Sequence, residues 1–340
     1  MFAIRKAKAG KGLEATTVES QTPKAHEVRI KVTHAGVCGT DMHIYQWDDW
    51  SQSRIKPPLV LGHEFVGEIV ELGSDVKGYE IGQRVSAEGH IVCGVCPLCR
   101  TGRSHLCQDT VIIGVDRRGA FCEELIMPAT NLWPVNAKIS DAHAAIFDPL
   151  GNAMHTVMSF PPAGEHVLIS GAGAIGLAAV AMAKANGARK VTVVEPNESK
   201  RKVAEKLGAD VCLDPFSQDV VAETKADKPT LLLEMSGNEK ALETGLTALL
   251  EGSNVALLGI PPRAINLKLA ELVIFKGLTL RGIVGRKMYE TWYQVDHFVQ
   301  NNPEAVDELV THILPAQDFQ KAFDLLEAGE AIKIVLQFAE

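Results

Sequence analysis

The sequence predicts an α/β protein with a β-rich N-terminal part followed by a doubly wound parallel sheet. Residues up to about 135 form short apolar runs interrupted by glycine and proline, with little helical periodicity, which is typical of strands. From Val167 onwards, strand patterns alternate with helical patterns, as in a parallel sheet covered by helices. A glycine-rich turn at residues 171–176 separates the first of these strands from its helix.

The N-terminal part opens with strand patterns. Met1–Lys6 is a short strand pattern and lacks the apolar stretch and cleavage site of a signal peptide. Residues 28–33 alternate between apolar and polar side chains, and residues 65–70 are mostly apolar. Both segments are therefore predicted to be strands.

Three side chains that bind metals stand next to these two strands. Cys38 follows the first strand, whereas His63 and Glu64 precede the second. One thiolate, one imidazole and one carboxylate give zinc three ligands and leave one coordination position for a substrate oxygen. A single cysteine or histidine is more often a packed residue, so the residues alone leave a metal site and simple packing both open.

Four cysteines fall within fifteen residues, namely Cys93, Cys96, Cys99 and Cys107. Two residues separate each of the first three, and a seven-residue loop brings back the fourth. This spacing predicts a tetrahedral zinc site that is structural, because protein ligands fill all four positions. Buried packing or a disulfide pair is the alternative. Cys122 and Cys212 stand in apolar patterns and are expected to pack.

The glycine-rich turn predicts a dinucleotide site. Gly171, Gly173 and Gly176 follow an apolar strand and open a helical stretch that extends to Asn186. In such sites the glycines let the backbone approach the pyrophosphate, and the N–H groups of the helix N-terminus bind it. The strand, the turn and the helix together favour cofactor binding over a mere tight turn.

An acid follows the next strand of this unit. Residues 191–194 are predicted to be that strand, and Glu195 stands at the distance expected for an acid that hydrogen-bonds the adenosine ribose. Because its carboxylate repels a 2′-phosphate, NAD is favoured over NADP. Lys200 and Arg201 weaken this preference, since a nearby cation can accept such a phosphate.

The remaining patterns continue the alternation and end in a strand. They predict helices at 200–207, 241–250, 290–300 and 317–328, and strands at 231–234, 255–258 and 333–338.

The composition is that of a soluble globular protein. The chain has 340 residues, enough for two domains, and 46% of them are hydrophobic. A net charge of −8 without a strong basic run argues against a nucleic-acid partner. No segment reaches the ~18 consecutive apolar residues that span a bilayer. Seven cysteines, most of them assigned to metal, suit a reducing cytoplasm.

The order of these parts resembles the zinc-dependent medium-chain alcohol dehydrogenases over essentially the whole chain. Within them, residues 38–52 and 285–293 resemble the branch whose bacterial members oxidise L-threonine. The resemblance implies a GroES-like catalytic domain at 1–149 and 291–340, with a structural zinc lobe at about 88–110. It also implies an NAD-binding Rossmann domain at 150–290, two zinc ions per chain and a homotetramer.

The resemblance further implies a reaction in threonine catabolism, the oxidation of L-threonine at its secondary hydroxyl to 2-amino-3-oxobutanoate. A zinc ion held by Cys38, His63 and Glu64 would lower the pKa of that hydroxyl, and hydride would pass from the β-carbon to NAD. In the family, Thr40 and His43 form the route by which the proton leaves. From the residues alone, His43 is better explained as a surface imidazole.

Two further roles come from the resemblance. Asp148 stands where related enzymes place an acid beside the catalytic zinc, as a fourth ligand that alternates with Glu64 or as a proton relay. The alternative is that Asp148 caps a helix beginning after Pro149. His90 stands at the family position that tunes the choice of amino-acid substrate.

Cofactor contacts are also implied by the resemblance, at Ile175, Glu195, Lys200, Leu258, Gly259, Ile260, Ile283 and Val284. This sequence departs from the pattern of bacterial relatives at two of them, because Asp usually stands at the position of Glu195 and Arg at that of Lys200. The acid is retained but longer, so the preference for NAD is expected to survive.

Two other functions stay open at this point. The same machinery oxidises polyols such as sorbitol or butanediol, and only residues 47–52 and 286–293 argue for threonine. Some members of the superfamily bind NAD without catalysing a reaction. The intact set of Cys38, Thr40, His43, His63 and Glu64 argues against that alternative.

Overall fold

The computed structural model describes residues 1–338, which divide into two compact units. The first unit holds Met1–Asp148 and the described residues from Lys287 onwards, and the second holds Pro149–Arg286. Between residues 1 and 338, no helix is both long enough and apolar enough to cross a membrane.

The strands are β1 (Phe2–Lys6), β2 (Glu14–Thr17), β3 (Glu27–Gly36), β4 (Leu59–Val60), β5 (Glu64–Leu72), β6 (Arg84–Ala87), β7 (His90–Ile91), β8 (Val111–Ile112), β9 (Glu124–Pro128), β10 (Leu132–Pro134), β11 (His166–Ser170), β12 (Lys190–Val194), β13 (Val211–Leu213), β14 (Leu231–Glu234), β15 (Asn254–Leu257), β16 (Thr279–Gly282), β17 (Val310–Pro315) and β18 (Lys333–Gln337). The α-helices are α1 (Gly39–Gln46), α2 (Asp49–Arg54), α3 (Pro97–Arg100), α4 (Asp141–Ala144), α5 (Phe147–Met158), α6 (Ala174–Ala185), α7 (Glu198–Lys206), α8 (Val220–Thr224), α9 (Glu239–Ala248), α10 (Glu290–Asn301), α11 (Pro303–Asp307) and α12 (Phe319–Glu327). Short 3₁₀-helices span Ser104–Leu106, Ala129–Asn131 and Ala316–Asp318, and Ala270–Ile274 is a π-helix.

The first unit is built on a seven-stranded sheet. Its strand order is β10-β6-β5-β3-β18-β17, and β9 also pairs with β3. The alternation along β3 buries Ile30 and Val32, while Lys31 stays exposed. These apolar side chains join a core that includes Phe65 and Phe121. The strand β18 pairs antiparallel with the end of β3, so the C-terminal segment lies beside the residues that precede Cys38.

The second unit is a six-stranded parallel sheet with the order β13-β12-β11-β14-β15-β16. Every residue of β11 and β14 is buried, which is typical of a parallel sheet covered by helices on both faces. The strand order reverses between β11 and β14. In such sheets, ligands bind at the carboxyl ends of the strands at this reversal. Ser170 is the last residue of β11. Val194 of β12 and Glu234 of β14 are in register with it.

The α/β fold class and the doubly wound sheet are confirmed, and β14 has the bounds predicted for it. Before residue 135, where short strands with little helical periodicity were predicted, the structure also has the short helices α1, α2 and α3. Capping bonds define these short helices: Cys38 N–H donates to Asp41 Oδ2 over 2.9 Å, and Ser51 N–H donates to Asp48 Oδ1 over 3.0 Å. A search for long apolar periodicity does not detect helices of this kind.

Candidate active site

The structure brings Cys38, His63 and Glu64 together in the first unit, with their ligand atoms all within 4.8 Å of one another. Cys38 stands between β3 and α1, and His63 and Glu64 stand where β5 begins. Gly36 is in register with Glu64 across β3 and β5. A Cβ atom added at Gly36 would lie 2.2 Å from Glu64 Oε2, so only glycine leaves room for this carboxylate.

This group fits a divalent cation. His63 Nδ1 and Glu64 Oε1 are buried, and neither has a hydrogen-bond partner within residues 1–338. Buried polar atoms without a partner are costly, and a bound cation removes that cost. Burial disfavours charge on His63, but the negative charge of Cys38 and a hydrogen bond to it outweigh burial and raise the pKa of His63 to about 10. Sulfur, nitrogen and oxygen donors in one cluster suit zinc.

Lys333 is a member of the site that sequence reasoning missed. Its Nζ lies 2.5 Å from Glu64 Oε2 and donates to Val37 O over 2.9 Å. Burial opposes its charge, but Glu64 and Cys38 together raise the pKa of Lys333 above its usual value. The available signal was a lysine at the start of an apolar C-terminal strand, where a charge needs a buried partner.

Asp148 and Thr40 lie near this group without joining it. Asp148 is buried, and its negative charge helps to raise the pKa of His63, but it is not one of the three clustered ligands. The alternative role of Asp148 as a helix cap is wrong, because α5 already begins at Phe147 and Asp148 lies in its first turn. Thr40 Oγ1 lies 3.9 Å from Cys38 Sγ.

His43 projects from α1 with 59% of its side chain exposed. Its Nδ1 lies 2.5 Å from Asp48 Oδ2. Asp48 also caps α2, and although burial opposes this, hydrogen bonds from Ser51 and His43 lower the pKa of Asp48. His43 is thus a surface imidazole of the first unit, as the residues alone suggested, but an acid fixes its orientation. Sequence reasoning missed the role of Asp48.

His90 lies in β7 beside a buried acid. Its Nδ1 is 2.9 Å from Glu88 Oε1, and 26% of the His90 side chain is exposed. Glu88 is completely buried, and Oε2 accepts a hydrogen bond from Trp292 Nε1 over 3.0 Å. The glutamate therefore connects the strand region of the first unit to α10.

The predicted structural zinc lobe is also assembled. The sulfur atoms of Cys93, Cys96, Cys99 and Cys107 all lie within 4.8 Å of one another. Backbone N–H groups point at these sulfurs, from Cys96 to Cys93 Sγ over 3.3 Å and from Cys93 to Cys107 Sγ over 3.3 Å. Backbone N–H donors from Cys99 and Gln108 lower the pKa of Cys96 to about 6. Such donors stabilise thiolates, the form in which cysteine binds zinc.

The glycine-rich turn of the second unit has the geometry of a phosphate-binding turn. Gly171 has φ +93°, and an added Cβ would lie 3.0 Å from the Cα of Ser236. At Gly176 an added Cβ would lie 2.0 Å from Gly171 O, so both positions require glycine. Gly173 caps α6 and faces open space, as a turn that admits a pyrophosphate must.

The acid predicted to contact the ribose lies next to this turn. Glu195 is buried and accepts hydrogen bonds from Ala172 N over 2.8 Å and from Asn197 N over 2.9 Å. Arg201 uses its guanidinium to bind the backbone oxygens of Glu195 and Pro196, each over 2.7 Å. Arg201 is therefore engaged by the backbone, whereas Lys200 lies partly exposed on α7.

The remaining candidate cofactor residues follow strands of the same sheet. Leu258, Gly259 and Ile260 come after β15, and Ile283 and Val284 come after β16. Ile260 and Val284 are exposed, whereas Ile283 is buried. Ile175 lies partly buried in the first turn of α6.

Sequence reasoning missed Glu234, the buried acid at the end of β14. Burial raises the pKa of Glu234, although its Oε1 accepts hydrogen bonds from the backbone N–H groups of Ser236 and Gly237 over 2.9 and 3.1 Å. Glu234 holds the Ser236 loop against Gly171 at the strand-order reversal. The available signal was an acid at the end of an apolar strand that is followed by Ser-Gly.

Comparison with known proteins identifies two family matches in this chain. Residues 24–137 match the alcohol dehydrogenase GroES-like domain, and residues 174–301 match the zinc-binding dehydrogenase family. The first match contains both groups of clustered metal ligands, and the second contains Gly176, the last glycine of the glycine-rich turn, and Glu195.

Similar proteins cover nearly the whole chain. A protein of Stenotrophomonas maltophilia named L-threonine 3-dehydrogenase is 49% identical over 99% of this chain and 100% of its own length. A protein of the same name from Pyrococcus horikoshii is 46% identical over 98% of each chain. The solved structure of an alcohol dehydrogenase from Escherichia coli CFT073 in complex with NADH has a TM-score of 0.90 and 27% identity, with 99% of both chains covered.

Proposed function

The chain belongs to the zinc-dependent medium-chain alcohol dehydrogenase family, and from this premise we propose that it oxidises L-threonine. The product is 2-amino-3-oxobutanoate, and NAD accepts the hydride. The observation that carries the substrate assignment is the 46–49% identity, over essentially the full length, to proteins named L-threonine 3-dehydrogenase. The buried cluster of Cys38, His63 and Glu64 supplies the chemistry that this reaction needs.

In this proposal, Cys38, His63 and Glu64 hold the catalytic zinc, and the four clustered cysteines hold the structural one. When bound, the catalytic zinc supplies a Lewis acid that lowers the pKa of the substrate hydroxyl. Lys333 holds the Glu64 carboxylate in place, because Lys333 Nζ lies 2.5 Å from Glu64 Oε2. Asp148 is buried near His63 and adds negative charge there, which supports its assignment as an acid that assists this group.

The proton of the substrate hydroxyl leaves through Thr40 and His43 in this proposal. The Thr40 hydroxyl lies 3.9 Å from Cys38 Sγ, next to the proposed zinc ligands. His43 has its Nδ1 held by Asp48, and its exposed imidazole can pass a proton to water. Histidine suits this step because it exchanges protons at neutral pH.

The second unit binds NAD in this proposal. The glycine turn receives the pyrophosphate, and Glu195 receives the adenosine ribose. Further contacts to the cofactor come from Ile175 on the first turn of α6. The other contacts come from Lys200, Leu258, Gly259, Ile260, Ile283 and Val284. Glu195 is already oriented beside the turn, because its Oε2 accepts from Ala172 N–H in the turn and its Oε1 accepts from Asn197 N–H, which precedes α7. Its negative charge supports NAD over NADP.

A homotetramer in the cytoplasm is part of the proposal. The edge strand β16 has all four residues exposed, and Ile274 and Phe275 beside it are 62% and 80% exposed. Such an edge with apolar neighbours supports pairing with another copy. Light scattering should give four times the chain mass of 36.7 kDa.

The seven cysteines form no disulfide within residues 1–338, which supports a reducing compartment.

The substrate assignment is tested by NADH formation with zinc-loaded protein. The panel is L-threonine, D-threonine, L-serine, sorbitol and 2,3-butanediol, each with NAD and with NADP. Turnover confined to L-threonine and NAD is the expected result. Turnover of the uncharged diols instead would retain the zinc chemistry and reject threonine. Absence of turnover with every substrate would favour a non-catalytic NAD-binding protein.

A further inference from the structure

Glu234 is a buried acid that anchors two neighbouring loops. It is 2% exposed and ends β14. Its side-chain Oε1 accepts hydrogen bonds from the backbone N–H groups of Ser236 and Gly237 over 2.9 and 3.1 Å, and from the Ser236 hydroxyl. Its backbone oxygen accepts from the N–H groups of Leu258 and Gly259 over 2.9 and 3.0 Å. Glu234 therefore holds the loop after β14 with its side chain and the loop after β15 with its main chain.

The two loops pack closely against each other and against this carboxylate. Gly237 has φ +64°, and an added Cβ would lie 2.5 Å from Ile260 O. At Gly259 an added Cβ would lie 2.2 Å from Gly237 N and 2.6 Å from Glu234 Oε2. Both positions therefore require glycine, and the separation of the loops depends on the backbone contacts and on the carboxylate.

The anchored loops lie on the nicotinamide side of the proposed cofactor site. A doubly wound sheet has two halves, and each half binds one mononucleotide. Glu195 follows β12 and is proposed to receive the adenosine ribose, whereas β14 and β15 lie on the other side of β11 in the strand order. The mononucleotide that carries the nicotinamide therefore belongs over the loops after β14 and β15. Ser236 is exposed there, while the acid that holds it is buried.

The glycine-rich turn has anchors of its own. Gly171 N–H donates to Val194 O over 2.9 Å, and Ala172 N–H donates to Glu195 Oε2 over 2.8 Å. These bonds do not involve Glu234. The sites proposed for the pyrophosphate and the adenosine should therefore survive a change at Glu234.

We propose that Glu234 is a positioning residue that holds the loops after β14 and β15 in the arrangement that binds the nicotinamide half of the cofactor. This inference rests on the proposed function and assigns a separate determinant to one half of the same cofactor site. The hydrogen-bond acceptors of the side chain carry this role. A loop that is ordered before binding loses less conformational entropy on binding, so the anchor contributes to affinity.

The test compares Glu234→Met with Glu234→Gln. Methionine has a similar length and suits a buried position, but it leaves the N–H groups of Ser236 and Gly237 without this acceptor. Glutamine lacks the charge but can place its amide oxygen where Oε1 accepts both bonds. Dissociation constants are measured for NADH and for ADP, which carries only the adenosine and the two phosphates of the cofactor.

We expect Glu234→Met to raise the dissociation constant of NADH about tenfold, as for the loss of one or two hydrogen bonds. The constant for ADP should stay nearly unchanged, because the turn and Glu195 are anchored separately. Glu234→Gln should bind both ligands nearly as the wild type does, since it retains the acceptor.

Leu232→Ala is the matched control for stability. Leu232 is buried in the same strand, two residues before Glu234, and an added Cβ at Gly245 of α9 would lie 2.9 Å from Leu232 Cδ2. Truncation should lower the thermal unfolding temperature through a cavity. It should leave the ratio of the NADH and ADP dissociation constants unchanged.

Hydrogen–deuterium exchange of the wild type tests the anchor without any variant. If Glu234 holds the loop in advance, the N–H groups of Ser236 and Gly237 should be protected before NADH is added. Rapid exchange of both groups in the cofactor-free protein would overturn the inference.

The outcomes distinguish this inference from the proposed function. Failure of the wild type to bind NADH would reject the proposed cofactor site. If the wild type binds NADH, equal weakening of NADH and ADP binding in Glu234→Met, or no weakening of either, would overturn the inference. An equal loss of NADH affinity in Glu234→Gln and Glu234→Met would also overturn it, because the charge and not the acceptor would then be responsible.

Discussion

Lys333 Nζ lies 2.5 Å from Glu64 Oε2, and the two side chains are 4% and 0% exposed. The contact joins the last described strand, β18, to the first residue of β5. A buried ion pair becomes strongly destabilising when one partner is removed, because the remaining charge is left uncompensated. The C-terminal strand is therefore coupled to the proposed zinc ligands through this contact.

Replacement of this lysine should destabilise the zinc-free protein most. We expect Lys333→Met to lower the free energy of unfolding by about 3–5 kcal/mol without zinc. The loss should be smaller with zinc bound, since the metal then offsets the charge of Glu64. Urea unfolding of variant and wild type, each with and without zinc, measures both values. Lys333→Arg keeps the cation and is the control. An equal loss in both states would contradict the coupling.

Replacement of one cysteine in each cluster should distinguish the roles of the two proposed zinc sites. Cys38→Ser should reduce bound zinc from two ions per chain to one and lower kcat by about a thousandfold or more, because the Lewis acid is lost. Cys99→Ser should also remove one zinc ion, but its main effect should be a loss of stability of more than about 2 kcal/mol. Elemental analysis, turnover and thermal unfolding provide the three readouts. Cys212→Ser, outside both clusters, should keep two zinc ions, and a zinc loss there would speak against the assignment.

The sequence was sufficient to predict those parts of the site whose signal is local. The spacing of Cys93, Cys96, Cys99 and Cys107 restricts the geometry within one loop, and the structure clusters their sulfurs. The glycine turn likewise lies between β11 and α6. In both cases the residues that cooperate are near neighbours in the chain, so their spacing carries the information.

The contacts that sequence reasoning missed join residues far apart in the chain. Glu88 and Trp292 are 204 positions apart, and nothing in either segment indicates the other. Lys333 meets Glu64 only because β18 pairs with β3, and β3 pairs with β5. Pairing of this kind depends on the packing of the whole sheet, which the local pattern of a strand does not determine.

The cofactor preference should depend on the charge of Glu195. Glu195→Gln keeps the size of the side chain and an oxygen acceptor, but it removes the charge that repels a 2′-phosphate. We expect the ratio of kcat/KM for NAD to that for NADP to fall about tenfold to hundredfold. Glu195→Asp keeps the charge and should keep the preference for NAD. Initial rates with both cofactors give the ratios, and an unchanged ratio in the glutamine variant would refute this role.

Stability at acidic pH should depend on Asp141. Hydrogen bonds from His34 and Thr33 and the charge of Arg84 lower the pKa of Asp141 below its usual 3.8, against the opposing effect of burial. A lowered pKa contributes stability that is present above the unfolded value and is lost as pH falls through the folded value. Asp141→Asn should therefore cost on the order of 1–3 kcal/mol at pH 7.

The cost of Asp141→Asn should shrink as the pH falls below about 4, where the wild-type carboxyl also becomes protonated. Urea unfolding of both proteins at a series of pH values from neutral to strongly acidic measures this difference. Asp109→Asn, at a surface aspartate, is the control and should show little change at any pH. A cost that is independent of pH would show that shape, not charge, is responsible.

The central claim is that hydride leaves the hydroxyl-bearing carbon of L-threonine and reaches NAD. The most direct test incubates the zinc-loaded protein with NAD and L-threonine carrying deuterium at carbon 3, followed by mass spectrometry of the NADH formed. The account predicts one deuterium per reduced nicotinamide, transferred to a single face of the ring. Reduced cofactor without deuterium, or no reduction of NAD at all, would contradict it.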